Sequence, residues 1–389
     1  MSKHPVILLS QQLIKIDSIT PADKGCQALL AELLANAGFY IEHKRFGEVD
    51  NLFAWHGTKK HQDNNGKNLM FLGHTDVVPT GDIEAWQHPP FSASIDGDYL
   101  YGRGSADMKC AVAAFTLAMI DFVIRNPKHP GQISLMLTSD EEGVAIDGVK
   151  KMMPHVVNKL ANNHNFDYCL VGEPSSSKHL GDIVRVGRRG SLHVNISIHG
   201  KQGHVAYPEN ASNPIFLAAN FIDDLSQFKW DDGNEDFPPT SFQISALKTS
   251  SDTPNIIPAD LYIQANFRYS PESNENSLKS QLQELLHKNK LTYTLDWNLS
   301  GLPFHSKNKS LKRALTKSIS EVSDIKVIFN TGGGTSDGRF VAPFGVEVVE
   351  LGLVNKTIHQ IDERVLISDV EKLQDIYFLL ISTLLIGDK

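Results

Sequence analysis

Acidic residues are concentrated where one apolar segment ends. The run TSDEEG (138–143) follows the apolar letters ISLML and places Asp140, Glu141 and Glu142 side by side. Like charges at the end of a buried strand are unfavourable unless a positive group compensates for them. A helix cap formed by Ser139 or Asp140, with the glutamates near the positive end of the helix, is the structural alternative. The run therefore raises the question of which cation lies opposite it.

Two further motifs offer side chains that bind metals. In FLGHTDVVP (71–79), His74 and Asp76 are two residues apart, so on an extended chain their side chains point the same way. Asp76 can then accept the second ring N–H of a metal-bound histidine. In YGRGSADMKC (101–110), Asp107 opens an alanine-rich segment, and one carboxylate can bridge two metal ions. Taken alone, a hydrogen-bonded pair and a helix N-cap explain these residues equally well.

Combined with Glu173 and with His359 of NKTIHQIDE (355–363), these motifs supply a complete ligand set. It comprises two imidazoles and three carboxylates: His74, Asp107, Glu142, Glu173 and His359. Oxygen and nitrogen ligands without a thiolate suit Zn²⁺, or a similar ion such as Co²⁺ or Mn²⁺. Three carboxylates and one hydroxide carry four negative charges, which balance two divalent cations. Glu141, which is not needed as a ligand, is then available as general base and acid.

The surrounding segments predict an α/β domain that holds this set at one edge. Strand-like runs occur at 68–74, 132–142 and 166–173, and a helical segment at 107–124 lies between the first two. This alternation is typical of a mostly parallel sheet. Functional residues of such sheets gather beyond the carboxyl ends of the strands. Helices at 5–16 and 23–38 and a late strand at 346–352 complete the predicted domain.

From about 187 to 300 the pattern changes to strand, helix, strand, strand, helix, strand. This order favours an inserted α+β sandwich of the ferredoxin-like type. The predicted boundaries are 1–186 for the first part of the catalytic domain, 187–300 for the inserted domain and 301–389 for the second part.

Composition limits the classes of partner. The 389 residues are 41% hydrophobic with a formal charge of −8, and there is no basic stripe with interleaved aromatic residues, so nucleic acid is excluded as a partner. Three distant cysteines favour a reducing compartment. The apolar stretches at both ends are too short to span a membrane, so we expect a soluble cytoplasmic protein.

The motifs GHTDVVP, GRGSADMK, SDEEG, VGEP and IHQIDE, in this order and spacing, resemble the M20 family of metal-dependent amidohydrolases and peptidases. The resemblance covers essentially the whole chain. It implies a zinc-aminopeptidase-like catalytic domain, an inserted dimerisation domain, a homodimer and two divalent metal ions per subunit, Zn²⁺ before Co²⁺. It also implies that the peptide bond after Asp107 is cis.

The resemblance further implies a role for each residue. Asp107 bridges the two ions, His74 and Glu173 bind one of them, and Glu142 and His359 bind the other. Asp76 orients His74, Glu141 transfers the proton, and His204 reaches the active site of the other subunit to stabilise the oxyanion. The implied substrate contacts are Arg188, Ser191, Tyr207, Asn255, Arg268, Gly334, Thr335 and Asn355.

Within the family, the segments VGRRGSLH (186–193), GHVAYP (203–208) and NTGGGTSDGRF (330–340) are most similar to members that hydrolyse N-succinyl-LL-2,6-diaminopimelate to succinate and LL-2,6-diaminopimelate. Arginine forks suit the carboxylates of such a substrate. A deacylase of another N-acylated amino acid is the nearest alternative. A non-catalytic binding protein on the same scaffold is another, and it predicts the loss of ligands or of the base.

Overall fold

The computed structural model describes residues 4–57, 66–159 and 166–387, which divide into two compact units. Unit 1 contains the described residues of Met1–Gly187, His305–Asn330 and Ser336–Lys389, and unit 2 contains Arg188–Phe304 and Thr331–Thr335. The described helices are α1 (Pro5–Ile14), α2 (Cys26–Asn36), α3 (Cys110–Arg125), α4 (Val149–Lys159), α5 (Pro214–Gln227), α6 (Glu275–Lys288), α7 (Lys309–Val322), α8 (Gly338–Val341) and α9 (Ile367–Leu385). The described strands are β1 (Tyr40–Phe46), β2 (Val49–Gly57), β3 (Asn68–His74), β4 (Ile95–Asp96), β5 (Tyr99–Tyr101), β6 (Gln132–Thr138), β7 (Tyr168–Val171), β8 (Ile183–Arg185), β9 (Gly187–Arg188), β10 (Gly190–His199), β11 (Gly203–His204), β12 (Ser241–Thr249), β13 (Ile256–Ile257), β14 (Asp260–Tyr269), β15 (Tyr293–Gly301), β16 (Phe304–His305), β17 (Ile328–Asn330), β18 (Glu347–Glu350) and β19 (Arg364–Leu366).

Unit 1 is built on an eight-stranded mixed sheet with the order β1-β2-β6-β3-β7-β18-β8-β17. The four neighbouring strands β6, β3, β7 and β18 are parallel to one another. Every residue of β3 and β6 is buried, as continuous apolar runs in a parallel sheet require. The predicted α/β class with a mostly parallel sheet is confirmed, and the carboxyl ends of these four strands meet at one edge.

Helices α3 and α9 pack on this sheet through apolar side chains. The ring of Phe115 in α3 lies 4.2 Å from that of Phe71 in β3 and 4.3 Å from that of Tyr377 in α9, measured between centroids. The apolar segment near the C-terminus is thus part of a helix with a buried face. No helix in the described ranges has both the length and the apolar character that a membrane span requires.

Unit 2 follows the predicted order of strand, helix, strand, strand, helix, strand. Its antiparallel sheet has the order β12-β14-β10-β15, with α5 and α6 contributing apolar side chains to one core. Strand β10 alternates buried and more exposed residues over most of its length, which is the pattern of a sheet covered on one face.

Three details differ from the predicted elements. The hairpin of β1 and β2 was not predicted, and β6 ends at Thr138, before the acidic run. The regular part of α3 begins at Cys110, because Asp107 and Met108 have non-helical backbone angles. The acidic residues and Asp107 therefore lie in loops beyond regular structure, where their side chains can converge.

Candidate metal centre

The edge of the parallel sheet brings together residues from separate motifs. His74 is the last residue of β3, Glu141 and Glu142 follow β6, and Glu173 follows β7. Because β6, β3 and β7 are adjacent and parallel, these positions are neighbours in space although they span about a quarter of the chain. The expectation that strand ends position the cluster is met for these residues.

Two glycines allow the Asp107 loop to approach this edge. The side chain of Met108 covers Gly73 and Gly172, the residues just before His74 and Glu173. A Cβ atom would lie 2.7 Å from Met108 Cε at Gly73 and 2.5 Å from it at Gly172, closer than real side chains pack. A larger residue at either position would have to displace the end of the Met108 side chain, and at Gly172 the ring of Phe115 as well. The Asp107–Met108 peptide bond is cis, as the resemblance implied.

Asp107 lies between the two histidines and presents one oxygen to each. Its Oδ1 is 3.2 Å from His74 Nε2, and its Oδ2 is 3.4 Å from His359 Nε2. Glu173 Oε1 is 3.8 Å from the same nitrogen of His74, and Glu142 Oε1 is 3.0 Å from that of His359. The structure thus groups one histidine and one glutamate on each side of a shared aspartate.

These separations fit two metal ions. Two ligand atoms bound to one tetrahedral Zn²⁺ at about 2.1 Å are separated by roughly 3.4 Å. Ligand atoms of His74, Asp107 and Glu142 all lie within 4.8 Å of one another, as do those of His74, Glu141 and Glu173. Glu173 Oε1 is buried and has no hydrogen-bond partner among the described residues. An orphaned buried carboxylate oxygen that faces an imidazole nitrogen is what a bound cation would satisfy.

The carboxyl groups of the cluster repel one another electrostatically. Burial and the neighbouring Asp337 carboxyl raise the pKa of Glu141 well above its usual value. Burial, followed by the charges of Glu141 and Asp107, does the same to the pKa of Glu173. Burial also raises the pKa of Asp337 to about 7, although Arg339 lies nearby. Burial and mutual repulsion therefore disfavour the charged forms of these carboxyl groups, and a bound cation would favour them.

The pKa values of the two histidines are raised as well, but by the attraction of the neighbouring carboxylates rather than by burial. Hydrogen bonds to Asp107 and Glu142 raise the pKa of His359 to about 10. Burial opposes the charged form of His74, but Asp107, Asp76 and Glu141 outweigh it, and the pKa of His74 rises well above its usual value. Both imidazoles are thus drawn toward the cationic form by the carboxylates.

Asp76 contacts both His74 and the acidic run. The atom nearest to His74 Nδ1 is the backbone oxygen of Asp76 at 2.9 Å, whereas the carboxylate oxygen lies 3.6 Å away. The carboxylate instead accepts from the backbone N–H groups of Glu141 and Glu142, at 3.4 and 3.1 Å. Asp140 is also buried and accepts from the N–H groups of Ile146 and Asp147. Asp76 thus holds the backbone of the glutamates themselves, and Asp140 holds the backbone that follows them.

One set of predicted substrate contacts lies together in unit 2. Ser191 of β10 is directly opposite Arg268 of β14 in the antiparallel register, and its hydroxyl accepts from Asn266. The Nη1 group of the buried Arg188 donates to the carbonyl oxygens of Gly332 and Gly334, at 2.9 and 3.0 Å. Thr335 follows in the same segment.

A second set in unit 2 surrounds His204. Strands β11 and β13 pair His204 with Ile256, and Val205 N donates to the carbonyl of Asn255. The exposed ring of Tyr207 lies 5.8 Å from that of His204. The remaining predicted contact, Asn355, belongs to unit 1, where its N–H donates to Ser176 O at the start of the turn Asn355–Thr357.

Sequence reasoning missed several buried residues around the cluster. Asp337 and Glu363 lie within motifs, but neither had a predicted role. Glu363 contacts the Asp107 loop directly. Arg103 is the third such residue and forms an ion pair with Glu363 at 2.9 Å. Two of these three lie inside motifs that also contain a predicted ligand, which is the signal that could have identified them.

Comparison with known proteins places this geometry in a family. Residues 70–383 match the model for peptidase family M20/M25/M40, and the chain belongs to that family. Family members are metal-dependent, in agreement with the His and carboxylate cluster.

Two kinds of relative extend this result. The chain is 48% identical over 373 residues to a succinyl-diaminopimelate desuccinylase of Hydrogenovibrio crunogenus, covering 95% of this chain and 96% of that protein. Its fold is similar to an M20 family metallo-carboxypeptidase of Sulfolobus solfataricus, with a TM-score of 0.77, 18% identity and coverage of 98% and 99%. It is also similar to a dinuclear metal-binding M20 peptidase of Bacillus subtilis, with a TM-score of 0.72, 12% identity and coverage of 98% of both chains.

Proposed function

We propose that this protein hydrolyses the amide bond of N-succinyl-LL-2,6-diaminopimelate, releasing succinate and LL-2,6-diaminopimelate. These products belong to the synthesis of lysine and of peptidoglycan precursors. The observation that carries the proposal is the 48% identity to a succinyl-diaminopimelate desuccinylase along almost the full length of both proteins. The cluster of His and carboxylate ligands supports the same chemistry, since amide hydrolysis is a reaction that divalent metal ions promote.

The cofactor we propose is a pair of divalent ions, Zn²⁺ by preference and Co²⁺ as a substitute. His74 and Glu173 would hold one ion, Glu142 and His359 would hold the other, and Asp107 would bridge them. When bound, the ions supply Lewis-acid polarisation of the amide carbonyl and make water a stronger acid. The two oxygens of Asp107, each facing a different histidine, support a bridging role.

Glu141 is the proposed general base and acid. Its carboxyl group lies within 4.8 Å of the ligand atoms of His74 and Glu173. The carboxyl group of Glu142, in contrast, is paired with His359. Asp76 holds its backbone N–H, so the side chain is presented from a fixed position. Glu141 would take a proton from water and deliver it to the leaving amine, so that one carboxyl group would act first as base and then as acid.

The resemblance to the family also supports a proposal for the residues that bind the rest of the substrate. The substrate carries several carboxylates, and the guanidinium groups of Arg188 and Arg268 match them in charge and shape. Ser191, Tyr207, Asn255, Gly334, Thr335 and Asn355 would contribute further polar contacts, as the resemblance to the family implies. His204 would stabilise the oxyanion in the active site of the partner subunit.

A homodimer is part of this proposal. The outer face of α5 exposes Ile215, Phe216 and Leu217, with 79% of the Phe216 surface accessible. Leu247 of β12, a strand at the edge of its sheet, is also exposed. Contiguous exposed apolar residues are typical of surfaces that bind another protein. The buried free thiols of Cys26, Cys110 and Cys169 suit the cytoplasm that we propose as its location.

The test is release of succinate by the purified protein loaded with Zn²⁺ or Co²⁺. We expect turnover of N-succinyl-LL-2,6-diaminopimelate that a chelator abolishes and added metal restores. Full metal occupancy without succinate release would overturn the substrate and leave the metal centre standing. Faster turnover of acetylornithine or another N-acetylated amino acid would favour the alternative, an acetylornithine deacetylase or aminoacylase type of activity.

A further inference from the structure

Glu363 is a completely buried carboxylate that binds the loop carrying Asp107. Its Oε1 accepts from the backbone N–H groups of Ala106 and Asp107, at 2.8 and 3.1 Å. Its Oε2 accepts from Gly104 N at 3.1 Å and from Arg103 Nη1 at 2.9 Å. Four donors on one carboxylate fix both the position and the orientation of the loop that presents Asp107.

Arg103, which is also buried, connects this carboxylate to two other ligand-bearing segments. Its Nη1 donates to the carbonyl of Gln360, the residue after His359, at 3.0 Å. Its Nη2 donates to Pro79 O, at 3.3 Å, in the segment that follows His74 and Asp76. The planar guanidinium can serve these acceptors together because its donors are held in a rigid fork.

The His359 segment needs such support. His359 and Asp362 have φ angles of 59° and 57°, in the left-handed region that side chains other than glycine adopt only at a cost. Asp362 is held by the N–H groups of Gln87 and His88, and Gln360 is held by Arg103. These contacts hold the two residues that follow His359 on either side of Ile361.

We propose that the Arg103–Glu363 ion pair is a positioning device that sets the separation of His359 and Asp107. It thereby sets the affinity for the metal ion assigned to Glu142 and His359. The inference rests on the proposed metal centre and adds two residues that do not touch the ions or the substrate. Buried ion pairs contribute little net stability, so a geometric role accounts better for this one than a stabilising role does.

The experiment uses the full-length protein and three variants. Glu363→Gln keeps the shape of the side chain, but its NH₂ group faces two N–H donors that then lose their acceptor. Arg103→Lys keeps the charge but cannot reach Glu363 and both carbonyls together. Asp231→Asn is the matched control, because Asp231 is a carboxylate of unit 2 that accepts from Gly233 N, Thr240 N and three hydroxyl groups and contacts none of the predicted ligands.

Two measurements separate positioning from stability. Zn²⁺ affinity is measured by competition with a chromophoric chelator, and the Co²⁺ protein is examined by its visible spectrum, both well below the unfolding temperature of each variant. We expect Glu363→Gln to bind one of the two ions, the one assigned to Glu142 and His359, roughly 10–100-fold less tightly, the range expected for partners of metal ligands, with an altered Co²⁺ spectrum. Arg103→Lys should show a smaller loss of affinity for the same ion.

The control variant should unfold at a lower temperature with unchanged metal affinity and spectrum. If Glu363→Gln also unfolded earlier but bound both ions like the wild type, the positioning role would be wrong and the pair merely structural. Equal loss of affinity in the Asp231 control would overturn it as well. Wild-type protein that bound neither ion would instead refute the metal centre itself, so the two failures are distinguishable.

Discussion

The two neighbouring glutamates of the acidic run should separate cleanly in their effects. Glu142 Oε1 lies 3.0 Å from His359 Nε2, so these two side chains are close enough to share one ion. Glu141 instead shares a group with His74 and Glu173. We therefore expect Glu141→Gln to keep both metal ions and to lose about 10²–10⁴-fold in kcat, the usual contribution of a general acid or base. That loss corresponds to about 3–5 kcal/mol in the activation barrier.

Glu142→Gln should show the reverse. Replacing a ligand oxygen should weaken one ion by more than the roughly 10–100-fold that loss of an outer partner costs, and excess metal should restore part of the activity. Asp121→Asn is the matched control, since Asp121 forms an exposed ion pair with Arg125 on α3.

The assay combines metal content per subunit with initial rates of succinate release over a range of Zn²⁺ concentrations. A Glu141→Gln protein that kept both ions and more than a tenth of the wild-type kcat would refute the assignment of the base. If Glu141→Gln lost metal and Glu142→Gln kept it, the roles of the two residues would have to be exchanged.

Three further outcomes are expected. Gly172→Ala should lower the free energy of unfolding by about 1–3 kcal/mol in urea titrations, since the added Cβ would lie 2.5 Å from Met108 and 2.6 Å from Phe115. An unfolding midpoint equal to that of the wild type would show that these side chains have room to move. Asp231→Ala should cost about 2–4 kcal/mol at neutral pH, because five donors lose a charged acceptor. Although burial opposes its charge, these hydrogen bonds hold the pKa of Asp231 below its usual 3.8, so its stabilising effect is present above that pH. The difference in unfolding free energy between wild type and variant should therefore shrink as the pH falls through the folded-state pKa. A difference independent of pH would contradict the reasoning. Removal of metal by a chelator should lower the unfolding temperature reversibly, since free Zn²⁺ at 100 times its Kd stabilises the folded state by about 2.7 kcal/mol, and an unchanged unfolding temperature would argue against a structured metal centre.

The positions of the candidate ligands could be predicted because strand ends are visible in the sequence. The run at 68–74 coincides with β3 and ends on His74, and the runs at 132–142 and 166–173 contain β6 and β7. Parallel pairing then requires that their carboxyl ends meet. The ligand roles stay predictions that the proposed experiments address, and the domain boundaries at 187 and 300 stay predictions as well.

The supporting contacts could not be predicted in the same way, because they depend on which distant residues meet. The sequence indicated that the Asp76 carboxylate faces His74, yet it lies nearer to the backbone of Glu141 and Glu142. Nothing local to Gly172 indicates that a methionine side chain from another loop lies on it. The sequence around a glycine or a glutamate is the same whether the residue faces solvent or contacts a loop that carries a metal ligand.

These contacts explain why each motif is longer than its ligand. Met108, next to Asp107, packs on the glycines that precede His74 and Glu173. Glu363, shortly after His359, holds the backbone of Asp107. These two motifs therefore each carry one candidate ligand together with a residue that contacts the segment of another ligand. A substitution beside one ligand should for this reason disturb the geometry of a different one, and the metal-binding effects of such substitutions should be coupled rather than additive.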